Sequence, residues 1–133
     1  MPAMDTQNLR QIIVDGNAKT LVEDAKTFGT ELQKAGLTKS QIRGIFGTVR
    51  QIDAAWTDAG DAAQSMRKVL LLKPRLAYQS ARENKVRPLA DVLSDAIDLV
   101  AQIQEPIERR KRFGHFVDLF EAILAYHTAA GGR

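Results

Sequence analysis

Apolar side chains recur every three or four residues along almost the whole chain, and glycine or proline interrupts the pattern at intervals. Ile42, Ile45, Phe46, Val49, Ile52 and Trp56 form the clearest run. Leu89, Val92, Leu93, Ala96, Ile97, Val100 and Ile103 form a second, and Phe113, Phe116, Val117, Phe120, Ile123 and Leu124 a third. With 3.6 residues per turn, such spacing gathers the apolar groups on one face of an α-helix. No segment alternates with the period of two that a half-buried strand requires, and no internal repeat is visible.

The interruptions divide the chain. Leu9, Ile12 and Ile13 make a short helix that Gly16 ends. Asn17 caps a second helix carrying Leu21, Ala25, Phe28, Leu32 and Ala35, and Gly36 stands where the left-handed turn after a helix favours glycine. Thr38 and Gln41 have the spacing of a capping box for a third helix. Gly60 ends it, and Asp61 caps a fourth that contains Met66, Val69 and Leu70. Lys73-Pro74 reads as a break, with Pro74 first in a new helix over Leu76, Ala77, Tyr78 and Ala81. Asn84 to Pro88 reads as a loop. Pro106 opens the last helix, which ends before Gly131 and Gly132. The expected fold is all-α: a compact helical bundle of five to seven helices, one domain over residues 1–133, with the first few and last few residues disordered. At 133 residues and 44% apolar composition the chain can build a core of its own.

Catalytic chemistry is poorly provided for. There is no cysteine, hence no disulfide, thiolate metal site or cysteine nucleophile. The two histidines, His115 and His127, are twelve residues apart, about 120° round a helix, and cannot share a metal. His127 lies beside the Phe113–Leu124 stripe and is expected in a core or interface; His115 is expected to be exposed. Asp91, Asp95 and Asp98 share a helix face without a basic or metal-binding partner, which describes a solvated acidic surface rather than a general acid–base pair. No phosphate-binding loop, zinc motif or nucleophile elbow occurs. The expectation is a chain that binds without catalysing, with no cofactor, metal or small-molecule substrate. The first residues lack the basic and apolar regions of a secretory signal. No apolar stretch reaches the roughly 18 residues of a membrane span. A cytoplasmic location with no membrane partner is expected.

The net charge of +3 conceals segregation. Residues 39–87 carry ten basic and four acidic side chains, whereas residues 88–108 carry five acidic and no basic ones. Charge arranged in blocks creates local fields well above what the net value implies. Within the basic block, Lys39, Arg43 and Arg50 fall within about 40° on one helix, beside its apolar stripe. Lys73, Arg75 and Arg82 form a second cluster. Arg75 and Arg82 are two turns apart, with Tyr78 between them. Guanidinium groups at such spacing suit successive phosphates. An aromatic among cations also suits single-stranded nucleic acid, although packing is the more ordinary role for Tyr78. Arg109-Arg110-Lys111-Arg112 spreads round its helix and cannot face one ligand; part of it is expected to pair with the acidic 88–108 segment.

Three segments together carry a resemblance: Gly36-Leu-Thr-Lys-Ser-Gln-Ile-Arg-Gly-Ile-Phe-Gly-Thr-Val-Arg50, Leu71-Leu-Lys-Pro-Arg-Leu-Ala-Tyr-Gln-Ser-Ala-Arg82 and Phe113-Gly-His-Phe-Val-Asp-Leu-Phe-Glu-Ala-Ile-Leu-Ala-Tyr-His127. Their order and spacing resemble the small subunit of the type III-A (Csm) CRISPR effector complex, from Gly36 to His127. Residues 1–35 match only in helical character. The resemblance implies a small helical antiviral-defence protein without enzymatic activity. Copies of it stack in the inner filament of the interference complex, beside the other subunits and along the guide RNA and target RNA. It also implies that Lys39, Arg43, Arg50, Lys73, Arg75 and Arg82 line the channel for the guide–target duplex.

Three other readings compete. Thr38–Arg50 has the look of part of a helix-turn-helix DNA-binding regulator, but the following Asp61-Ala-Ala-Gln64 offers few base-reading side chains. The charge blocks alone would also serve a pure self-assembly or interaction protein. The equivalent type III-B small subunit has a similar role, but the Lys-Pro-Arg-Leu-Ala-Tyr run favours type III-A.

Overall fold

The computed structural model describes residues 2–57 and 62–131. Its helices are α1 (Thr6–Ile13), α2 (Ala18–Lys34), α3 (Lys39–Ala55), α4 (Ala62–Leu70), α5 (Leu72–Arg82), α6 (Arg87–Ala101) and α7 (Pro106–Ala129), with a short 3-10 turn at Asn84–Val86 before α6. No strand occurs among the described residues, so the all-α expectation holds. No helix among the described residues is long and apolar enough to cross a membrane.

The caps follow the local chemistry read from the sequence. The Thr38 N–H donates to Gln41 Oε1 at 2.9 Å, and the Gln41 N–H donates to Thr38 Oγ1 at 3.4 Å, completing the capping box. The Asn17 side chain accepts from the Thr20 N–H. Gly16 and Gly36 have φ of 68° and 93°, the left-handed backbone that closes α1 and α2. Asp5 caps α1 and Met4 packs against the core. Gly60, Asp61, Met1 and residues 132–133, on which the expected break, cap and terminal disorder partly rest, lie outside the described residues.

Two boundaries differ from expectation. Helix α5 begins at Leu72, not at Pro74. The Leu71 N–H still donates to Arg67 O at 3.0 Å, and Leu71 has helical φ and ψ, so the chain passes from α4 to α5 almost without leaving helical geometry. Pro74 is the third residue of α5. In the first turn an N–H has no partner to lose, so proline costs nothing there. The expected loop at Asn84–Pro88 is instead the 3-10 turn and the first two residues of α6.

Helix α7 runs through the middle. It packs against α1, α2, α3 and α6, whereas α5 lies outboard against α4, α6 and the 3-10 turn. The buried face of α7 is accordingly wider than one stripe. Leu119, Arg112 and His127 join Phe113, Phe116, Val117, Phe120 and Ile123 in the interior, while Leu124 is only partly buried. Aromatic rings run along it: Phe113–Phe116 at 5.8 Å, Phe116–Phe120 at 6.4 Å and Phe120–Phe46 of α3 at 5.1 Å between centroids.

Both histidines serve the fold. His127 is fully buried, as expected, and its Nε2 meets Leu37 O at 2.6 Å. A carbonyl can only accept, so Nε2 carries the proton. His115 is not exposed: it is half-buried, and its Nδ1 lies 2.8 Å from Ile13 O at the end of α1. Its ring fills the space beside Gly16, where a Cβ would lie 2.7 Å from Nε2. The fold thus puts His115 to use on a helix end far away in sequence, which its position off the α7 stripe did not show.

Candidate nucleic-acid interface

Helix α3 presents the first cluster. Lys39 is half-buried near its start, and Arg43 and Arg50 are exposed on the flank that adjoins α7. Arg50 Nη1 lies 3.3 Å from Glu121 Oε2 of α7, and its guanidinium sits 6.0 Å from the Phe46 ring centroid. Both partners of the ion pair are more than half exposed, 58% and 61%. A pair so well solvated contributes little to stability and exchanges readily. Lys39 and Arg43 make no ion pair among the described residues.

The second cluster divides. Lys73 sits on the flank of α5 that faces α6 and makes an ion pair with Asp98 there. Arg75 and Arg82 lie about 160–180° round the helix from Lys73 and are exposed. Arg75 Nη1 donates to Thr48 Oγ1 of α3 at 2.8 Å. Arg82 lies 5.6 Å from the Tyr78 ring centroid, and Tyr78 is 60% exposed rather than packed. Tyr78 has no core to enter because α5 buries only Leu72 and Leu76.

The six residues therefore do not form one row. Thr48, the anchor of Arg75, stands about 140–180° round α3 from Lys39, Arg43 and Arg50. Between these flanks the exposed surface of α3 is made of Ser40, Gly44, Gly47, Gln51, Ala54 and Ala55. A Cβ added at Gly44 or Gly47 would meet nothing within 4 Å. One cationic group thus stands on either side of a helix face that is open at its two glycines, with Lys73 apart from both.

Lys68 extends the second flank. It lines a small groove of about 280 Å³ with Thr48, Gln51, Ile52, Leu71, Leu72 and Arg75. Lys68 is two turns before Arg75, a signal present in the sequence but hidden by a break placed between them at Pro74. Arg87, outside both sequence clusters, rims a groove between α5 and α6 with Lys73, Asn84 and Asp91.

The Arg109–Arg112 cluster belongs to the scaffold. Arg109 donates to Ile103 O at 2.7 Å and Ala101 O at 3.2 Å, and Arg112 donates to Leu99 O at 2.9 Å. These are carbonyls at and beyond the C-terminus of α6, where a cation also favours the helix dipole. Arg112 pairs with Glu108 of the acidic segment at 3.5 Å. Arg110 turns instead to α3, bonding Asp53 Oδ1 at 2.8 Å and Trp56 O at 3.1 Å between the Trp56 and Phe113 rings.

On the acidic face of α6, partial burial pushes the Asp95 carboxyl above the ordinary carboxylate range; Asp98 and Asp91 add to this and Lys73 opposes it. A raised carboxyl disfavours the ionised form in the folded state, so its effect on stability worsens as pH rises through that range. Asp95→Asn should therefore raise the melting temperature slightly at neutral pH, a small effect because solvent screens this exposed position. The gain should shrink as pH falls through the carboxylate range; melting curves at several pH values check it. No group of three or more His, Asp or Glu side chains able to hold a metal occurs among the described residues.

No curated protein and no solved structure matches the chain significantly. The family model Csm2 Type III-A matches residues 15–133, nearly the whole bundle, including α2, which the sequence resemblance had left aside. The chain thus belongs to the type III-A Csm2 family, the small subunit of a type III-A CRISPR complex that partners the other Csm subunits.

Proposed function

We propose that the chain is a non-catalytic RNA-binding subunit that lies along the guide–target RNA backbone, with copies stacked along the inner filament of the complex. The observation that carries this reading is the α3 face: cations on both flanks of a surface whose glycines let a backbone approach closely. Lys39, Arg43 and Arg50 neutralise phosphates on one side, and Lys68, Arg75 and Arg82 do so on the other. Lys73, held by Asp98, contributes from the α6 side. Such contacts position RNA without reading bases; sequence choice is left to pairing with the guide. A single copy with a handful of phosphate contacts binds weakly, and several copies on one RNA gain by effective concentration.

The test is RNA affinity at two salt concentrations on two unrelated sequences. Binding should fall steeply with salt and differ little between sequences. Arg43→Ala with Arg50→Ala should leave stability within about 0.5 kcal/mol, since both side chains are exposed. The same variant should reduce the salt slope on duplex by about 1.8, two phosphate contacts at about 0.9 each. Salt-insensitive or strongly sequence-selective binding would sink the reading. So would an unfolded double variant whose folded fraction still binds normally.

A further inference from the structure

The almost unbroken passage from α4 to α5 aligns Lys68, Leu71, Arg75, Tyr78 and Arg82 at intervals of three, four, three and four residues. In helical geometry such a series is one ridge. All five side chains are exposed, Leu71 by 52% and Tyr78 by 60%. None of the three cations pairs with a carboxylate among the described residues. The ridge runs along α4 and the outboard α5, with α3 beside its Lys68–Arg75 half and Tyr78 and Arg82 beyond that contact.

Its chemistry differs from that of the α3 face. On α3 the exposed groups between the cations are small apart from Gln51, with no ring on which a base could stack. On the α4–α5 ridge the groups between the cations are an isobutyl chain and a phenol ring. The Arg82 guanidinium already lies over that ring at 5.6 Å. An open aromatic face between cations spaced two turns apart offers a stacking surface for a base, with phosphates bound on either side. Bases inside a duplex have their faces covered by their neighbours, so only an unpaired nucleotide can use this surface.

We propose that the α4–α5 ridge, whose cations also form the second flank of the α3 face, is a site for unpaired nucleotides, with Tyr78 stacking on a base, Arg82 completing the platform, and Lys68 and Arg75 binding the flanking phosphates. The inference rests on the RNA-binding reading, shares Lys68, Arg75 and Arg82 with it, and adds an unpaired base as a further ligand.

The experiment compares three ligands of equal length: single-stranded RNA, an abasic strand with the same phosphates, and duplex RNA. Wild type, Tyr78→Phe and Tyr78→Ala are measured as the full chain, each checked for an unchanged melting curve. The wild type should prefer the base-bearing single strand to the abasic one. Tyr78→Ala should lose about fivefold to a hundredfold on that single strand, the range for one stacked base, and so lose the preference. Tyr78→Phe should keep it, because the ring and not the hydroxyl does the stacking. Abasic and duplex affinities should not move. An unchanged single-strand affinity in Tyr78→Ala overturns the stacking site while leaving the phosphate-binding face intact. An equal loss on all three ligands overturns it as well, because a base-specific contact cannot affect an abasic strand. Wild type that binds none of the three overturns the RNA reading itself, and the ridge site with it.

Discussion

Phe120→Ala should lower the free energy of unfolding by about 3–5 kcal/mol, the range for an aromatic side chain removed from a packed interior. Phe120 is fully buried on the helix about which the bundle is built. Its ring closes the series from Phe113 and Phe116 to Phe46 on α3. Truncation deletes the edge contacts to Phe46 and Phe116 together. It leaves a cavity that cannot collapse easily, because backbone elements packed on several sides hold the walls apart. Domains of this size are stable by only about 5–15 kcal/mol, so the variant should be marginal at physiological temperature. Urea unfolding measures the effect, and RNA binding by the remaining folded fraction should stay close to wild type. A loss below about 1 kcal/mol, as for a partly exposed position, would mean that α7 is not the central helix.

The parts of this fold legible in the sequence are those settled within a few residues. The apolar period of α3 gives its buried face, and Thr38 with Gln41 gives its start, because capping needs partners only three positions apart. Gly36 closes α2 because its own backbone requires a positive φ. The start of α5 was less legible because proline is compatible with either of two registers. Pro74 can open a helix or sit in its first turn, and only the helical conformation at Leu71 decides. That choice also decided whether Lys68 and Arg75 read as one ridge or as two unrelated cations.

Long-range acceptors were the other gap. The basic run at Arg109–Arg112 reads in sequence as partly paired with the acidic 88–108 segment, and Arg112 with Glu108 is such a pair. The run's other roles are set by Leu99, Ala101 and Ile103 carbonyls at the end of another helix and by Asp53 and Trp56 on a third. Backbone carbonyls carry no residue signature, so no pattern of side chains announces them. For the candidate site, helical angles alone give the grouping of Lys39 with Arg43 and Arg50, and of Arg75 with Arg82. The placement of the two groups on opposite flanks of α3 depends on how α5 docks, through the Arg75–Thr48 bond.

Glycine substitutions should divide by sign according to what stands opposite each position. In a helix interior, Gly→Ala is normally stabilising by about 0.5–1 kcal/mol, because alanine loses less backbone entropy. Gly44 and Gly47 face open solvent on α3, so Gly44→Ala and Gly47→Ala should each show that gain. Gly29 on α2 is the exception. A Cβ there would lie 2.7 Å from Ile123 O and 3.0 Å from His127 N on α7. These are backbone atoms of the central helix and cannot rotate aside as a side-chain tip would. The two helices must move apart, loosening Phe28 and Leu32 beside the crossing. Overpacking of this kind costs about 1–3 kcal/mol and outweighs the propensity gain. Gly29→Ala should therefore destabilise while Gly44→Ala and Gly47→Ala stabilise, as melting temperatures of the three single variants will show. RNA affinity should divide the other way. Gly29→Ala should leave the folded fraction binding normally, whereas Gly47→Leu should keep the bundle stable and weaken binding, because its side chain would stand where the α3 face is open to a phosphate backbone. Wild-type RNA affinity in a folded Gly47→Leu protein would show that the backbone does not pass over α3.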